Sequence, residues 1–133
     1  MFMEEKDKVL HRLKLATALR KILTRNKEQV EQNIVNDVES IWIVDSIRQL
    51  EAASRISYTI VQGAFAGKRD IQFTSLISII GEGFGITLSE FAKIYDGVTD
   101  DEIKAVRKFI AASAKEKKVA GATKKKESLR KRK

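Results

Sequence analysis

Between Asp7 and Leu23 the apolar residues Val9, Leu10, Leu13, Ala16, Leu19, Ile22 and Leu23 recur every three or four positions, with Lys and Arg filling the gaps. That spacing draws one stripe along a cylinder and predicts an amphipathic helix with a single buried face. His11, the only histidine, lies beside the stripe, where a helix-surface role suffices for it. The next segment, NKEQVEQNIVNDVESIWIV (26–44), is mixed in pattern. Val30, Ile34 and Val35 suit a continuing helix, whereas IWIV is β-like in composition. The segment reads as mostly helical, with Trp42 in the core or at a subunit contact.

Shorter elements follow. Asp45 or Ser46 can cap a helix over IRQLEAAS, because a side-chain oxygen there accepts from a free N–H of the first turn. Ser57 stands in the same relation to YTIVQGAF, in which Ile60, Val61 and Ala64 are spaced to face inward. Only Arg55 and Ile56 separate the first helix from the cap of the second, so the two must turn sharply against each other, the spacing of a helix-turn-helix. Gly67 is placed to end the second helix in the left-handed conformation that glycine tolerates.

Thr74 to Gly83 predicts a further helix, with Phe73, Leu76, Ile77, Ile80 and Phe84 as its core stripe. Gly85 breaks it, Thr87 caps the next, and Leu88, Phe91 and Ile94 supply that helix's buried face. Thr99 is the expected cap of a last helix running from Asp100 to about Lys118, with Ile103, Val106, Ile110 and Phe109 facing inward. Asp100, Asp101 and Glu102 suit the positive end of its dipole. No segment alternates with period two, and no proline occurs. The expected fold is all-α: a single helical domain over 1–118, with its helix-turn-helix core at about 46–95, and a disordered basic tail over 119–133, where apolar content nearly vanishes.

Charge refines this picture by where it lies. The net +8 sits entirely in residues 115–133, which hold ten Lys/Arg against two Glu, while residues 1–114 hold sixteen charges of each sign. Any nucleic-acid contact made by the folded part must therefore come from local geometry. The tail could add non-specific attraction to a duplex through counterion release, bind a partner, or only aid solubility. The absence of Cys points to a reducing, cytoplasmic setting, and no apolar run approaches the roughly 20 residues of a membrane span.

From Ser46 to Phe91 the chain resembles the lambda-repressor-like (Cro/repressor, or Xre) helix-turn-helix domains. LEAASRIS is similar to the first motif helix and turn, SYTIVQGAF to the recognition helix, GKRDIQFTSLISI to the following turn and fourth helix, and GITLSEF to the opening of the fifth. The chain departs from the pattern in several places. Arg55 stands where the motif turn usually has Gly, Glu51 replaces a small residue, and Ile47 stands where many relatives place a phosphate-contacting Gln. One extra residue lies between Leu76 and Gly85, and some twenty separate the first helix from the motif.

The resemblance implies a sequence-specific regulator that occupies double-stranded DNA, more often as a repressor than as an activator. It further implies that Ser57, Tyr58, Thr59 and Gln62 face the groove. Gln can pair bidentately with adenine and Thr can offer its methyl to thymine. Lys68 and Arg69, with Arg48 and Gln49 near the start of the first motif helix, would hold phosphates, which position a protein without reading sequence. A homodimer is expected, because one short helix reads too few base pairs for useful specificity. Residues 26–44 and 100–118 are its candidate surfaces.

Other chemistries find little support in the residues. GEGFG (81–85) lacks the preceding strand and following helix of a phosphate cradle and reads as a helix end. Glu4–Glu5 and Asp100–Asp101 stand at predicted helix starts, and no nucleophile motif is present. The expectation is a non-enzyme that uses no metal or cofactor. The competing reading is an all-α interaction module, an antitoxin or adaptor, that keeps the scaffold without reading DNA.

Overall fold

A computed structural model of the chain describes residues 4–40 and 43–131, with side chains as far as 115. It is all-α, with no strand among the described residues. The helices are α1 (Glu5–Val35), α2 (Ile47–Ser54), α3 (Tyr58–Phe65), α4 (Phe73–Ser78, continued by a π-helical turn Ile79–Gly83), α5 (Leu88–Asp96) and α6 (Asp100–Lys131). α1 is the spine, and α3, α5 and α6 all pack on it, while α2 packs on α3 and on the π turn.

The stripe of α1 behaves as its spacing predicts from Leu13 onward: Leu13, Ala16, Leu19, Ile22 and Leu23 are buried, together with Thr17 and Ala18. Thr17 escapes the cost of an unpaired buried hydroxyl by donating to the Leu13 carbonyl at 2.7 Å. The helix then continues to Val35 through a run of Lys, Glu and Gln, all good helix formers. The expected helicity of 26–44 therefore holds only for its first half. Asp37, with φ at +56°, turns the chain out of α1, and the stretch that includes Ile43 and Val44 is coil. Asn26 Nδ2 donates to the Val44 carbonyl at 2.8 Å, which ties this return to α1. Trp42 lies outside the described residues.

Caps fall largely where the side chains predict. Ser46 Oγ accepts from the Gln49 N–H at 3.1 Å and Thr87 Oγ1 from the Glu90 N–H at 3.1 Å. Thr99 and Glu102 form a reciprocal capping box, with the Thr99 N–H donating to Glu102 and the Glu102 N–H to Thr99. Ser57 is the exception, for it occupies the N-cap of α3 but its side chain makes no capping bond. α6 stays helical as far as Lys131, past the end expected near Lys118 and through a segment where low apolar content predicts disorder. Its Lys, Ala, Glu, Leu and Arg have the propensity for this without a core.

Apolar assignments change in α3, α4 and α5. In α3 the inner face is Val61, Ala64 and Phe65, and Ile60 is 40% exposed. In α4 Phe73 is 64% exposed, whereas Ile79 and Ile80 are both fully buried. The cause is the π turn, in which the Phe84 N–H donates to the Ile79 carbonyl at 2.9 Å, five residues back. The wider turn rotates the stripe so that adjacent isoleucines share the core. In α5 Phe91 is buried but Leu88 is 47% exposed. No single helix among the described residues is long and apolar enough to cross a membrane. The pair Phe73–Gly83 and Leu88–Asp96 passes only jointly, across a 105° bend.

Two positions test this packing. A methyl on Gly83 would overlap Leu50 Cδ1, and Leu50 is fully buried, so Gly83→Ala is expected to cost about 1–3 kcal/mol in denaturant unfolding. A neutral result would mean that the π turn does not press on α2. Arg55 holds the α2–α3 connection in the left-handed region, at φ +61°. Arg55→Gly should then raise stability by about 0.5–1 kcal/mol, the strain relieved less the entropy that glycine brings to the unfolded chain. Arg55→Val should lower stability. Equal melting of the two variants would contradict a strained turn.

Candidate nucleic-acid interface

The outer side of α3 is built by what holds its two ends. At the start, Ser54 is buried and its Oγ accepts the Ile56 N–H at 3.2 Å, which closes the turn out of α2. At the finish, Gly67 has φ +64°, the Gly67 N–H donates to Ala64, and the Lys68 N–H donates to Gly63 at 3.0 Å. This is a Schellman ending, and it sets the direction in which Lys68 and Arg69 leave the helix.

α1 clamps the same end. Arg20 Nε donates to the Phe65 carbonyl at 2.8 Å, placing a cation at the negative pole of α3. Burial lowers the pKa of this guanidinium from its ordinary value. Leu13 Cδ2 lies 3.2 Å from where a Gly67 Cβ would stand, so a side chain there would meet both strain and α1. Arg12 holds Asp70 through two bonds of 2.7 and 3.2 Å. That pair raises the Arg12 pKa and lowers that of Asp70. Asp70 is the anion next to Lys68 and Arg69 in sequence, and its charge is directed to α1. Lys68, Arg69 and Arg48 themselves form no salt bridge among the described residues.

The structure brings most of the expected residues onto one side. Thr59, Gln62, Lys68 and Arg69 line a single groove of about 550 Å³ with Gly63. Gly63 has a specific use there, since the Arg69 stem lies across it, its Cδ 3.3 Å from where a Cβ would stand. Arg48 lies 4.9 Å from the centroid of the Tyr58 ring, a cation–π contact joining α2 to α3. Ser57 is exposed beside them at the start of α3. Gln49 is exposed, but its Oε1 accepts the Asp45 N–H at 2.8 Å, so its amide serves the α2 entry and only its NH₂ remains to donate.

The far wall of the groove has no local signal in the sequence. It is made by Phe109, Ile110, Ser113 and Ala114 of α6 with Arg20 of α1. Phe109, expected to face inward, is 59% exposed and carries the Arg20 guanidinium 5.2 Å from its ring centroid. Arg20 stands one turn after the buried Ala16, at the polar edge of the α1 stripe. Its position there is legible, but its partner some forty-five residues later is not.

Acid should loosen the ties that α1 makes. Asp70 is held ionised below the ordinary carboxylate range by the Arg12 hydrogen bond. Glu102 is held likewise by the Thr99 backbone N–H and then by Lys21, whose Nζ is 3.0 Å away. Each folded-state pKa is below its unfolded value, so the stabilisation is complete above the unfolded pKa and disappears as pH falls through the folded one. Thermal melts should drop as pH falls below about 4, the unfolded carboxylate range. The Asp70→Asn/Glu102→Gln variant should melt lower at neutral pH and show a flatter acid fall; an unaltered acid profile would exclude these two carboxylates as its source.

No family model matches the chain, and neither a curated protein nor a solved structure matches it.

Proposed function

We propose that this chain binds double-stranded DNA sequence-specifically, as a transcriptional regulator that occupies its operator as a homodimer. In this reading α2 and α3 are the two helices of a lambda-repressor-like helix-turn-helix, and α3 enters the major groove. One observation carries the reading. The outer side of α3 presents Tyr58, Thr59 and Gln62 beside cations that form no salt bridge among the described residues, Arg48 on one flank and Lys68 and Arg69 on the other. The left-handed Arg55 supports it further, because a residue at the usual glycine position adopts the backbone a glycine would.

Thr59 and Gln62 read base edges, while Lys68 and Arg69 hold a flanking phosphate. α6 runs along the same groove wall as far as Ala114, so the basic stretch from Lys115 starts where a duplex backbone would pass. Two copies are needed for useful specificity. The exposed Ile34 and Val35 at the end of α1, 73% and 84% accessible, support residues 26–40 as the self-association surface.

The alternative, an interaction module without DNA reading, is favoured by the neutral balance of residues 1–114. Binding of fluorescent duplexes, after selection from a random pool, separates the two. Gln62→Ala should leave stability within about 0.5 kcal/mol. It should weaken the selected site by about 1–3 kcal/mol and relax discrimination at one base pair per half-site. Non-specific affinity and its salt slope should not move. Lys68→Ala and Arg69→Ala should instead weaken selected and random duplexes alike and lower the log–log salt slope by about 0.9 for each phosphate lost. Selection that enriches no sequence, with Gln62→Ala indistinguishable from the parent, would remove the DNA-reading assignment and leave the interaction module.

A further inference from the structure

On the side of the molecule between α1, α4 and α5 lies a second cleft of about 680 Å³, within the size range of small-molecule sites. Its floor is Leu15, Leu76, Phe91 and Tyr95. At its mouth stand Phe73 and Leu88, each one helical turn before a floor residue (Leu76 and Phe91) and on the same helix face. Two apolar faces thus converge on the core and continue past it into solvent, and the described residues leave this surface uncovered.

The polar groups of the cleft are few and arranged by α1. Lys8, His11 and Arg12 recur at i, i+3 and i+4 along its wall. Arg12 is balanced by Asp70, whereas Lys8 has no salt-bridge partner among the described residues. The charged lining groups are Lys8, Arg12 and Arg69, the last shared with the α3 groove, against Asp70 and Asp96, a positive surplus of one. Lys14, outside the lining, lies with its Nζ 4.5 Å from the centroid of the Tyr95 ring. His11 Nδ1 lies 3.3 Å from the Tyr95 hydroxyl, which gives the wall one orienting donor–acceptor pair.

We propose that this cleft is a binding site for a small aromatic or branched aliphatic anion, its apolar body on Leu76, Phe91 and Tyr95 between Phe73 and Leu88, its charge toward Lys8. The positive surplus selects the anion, and the mouth residues supply the apolar cover. The cleft shares Arg69 with the groove beside α3, but its test does not involve DNA.

The probe is 8-anilinonaphthalene-1-sulfonate, an aromatic anion, with uncharged N-phenyl-1-naphthylamine as its counterpart, both titrated into the full-length protein. Calorimetry should give one equivalent of the sulfonate per chain, and amide shifts should concentrate on residues 8–15, 73–76 and 88–95. Phe73→Gln/Leu88→Gln alters exposed positions and should fold, as a cooperative melt will show, yet bind both probes about tenfold more weakly. Lys8→Glu should weaken the sulfonate about threefold and leave the amine unchanged. Sulfonate binding that survives Phe73→Gln/Leu88→Gln unaltered, or shifts that scatter over the surface, would overturn the site. Equal response of both probes to Lys8→Glu would overturn the anion. A parent that binds neither probe but becomes monomeric on Phe73→Gln/Leu88→Gln would show the cleft covered by a second copy, and the proposal would fall.

Discussion

The grip of α1 on the end of α3 is the constraint on which the candidate interface depends. α3 has eight residues, too few to persist alone in water, where nucleating the first turn already costs more than one hydrogen bond returns. It also carries Gly63, at a further expense of about 1 kcal/mol relative to alanine. Its order must come from elsewhere. Val61, Ala64 and Phe65 bury one side of it, and Arg20 meets its last carbonyl, that of Phe65, while Leu13 and Arg12 brace the turn beyond. These three α1 residues do unlike work. Arg20 offsets a helix pole, Leu13 fills space that only a glycine leaves open, and Arg12 removes a carboxylate from the neighbourhood of two cations.

That last effect matters because the folded part carries no charge to spare. With sixteen cations and sixteen anions in residues 1–114, a positive face can arise only if anions are engaged on other surfaces. Asp70 on Arg12 and Glu102 on Lys21 are two such engagements. Both are exposed enough that their worth as stability is small. Their larger consequence is directional, since they fix which side of the molecule keeps unpaired Lys68 and Arg69. Whole-chain pI misses this, because it counts charges without asking which are already spoken for.

What could be read from the sequence was whatever is decided within a few residues. Ser46, Thr87 and Thr99 cap because the donors they satisfy lie three positions on, and Gly67 ends α3 because its own φ requires it. The candidate groove residues were legible for the same reason, as neighbours on one short helix and its terminal turn. Exposure was not. Phe73, Leu88, Ile60 and Phe109 all sit at helical spacing from buried residues, and whether each is covered depends on which helix arrives opposite. The wall of α6 against α3 is the clearest instance, for no local pattern relates Gln62 to Ser113. One miss did have a local signal: Asn36–Asp37 is a pair that tolerates the left-handed region and so marks the end of α1.

Arg55 and Gly67 bracket the proposed reading helix with left-handed backbone, Gly63 sits within its unbroken helical run, and the π turn packs on α2. An arrangement optimised for stability alone would carry glycine at 55 and alanine at 63. An alanine Cβ at 63 would stand 3.3 Å from Arg69 Cδ, so the Arg69 stem beside Gln62 would have to give by a few tenths of an ångström. In the proposed reading this is a separation of labour: the small residue at 63 lets a phosphate-holding side chain lie flat beside a base-reading one, and α1 meets the cost. The interaction-module reading gives the same Arg69–Gly63 contact a packing task alone.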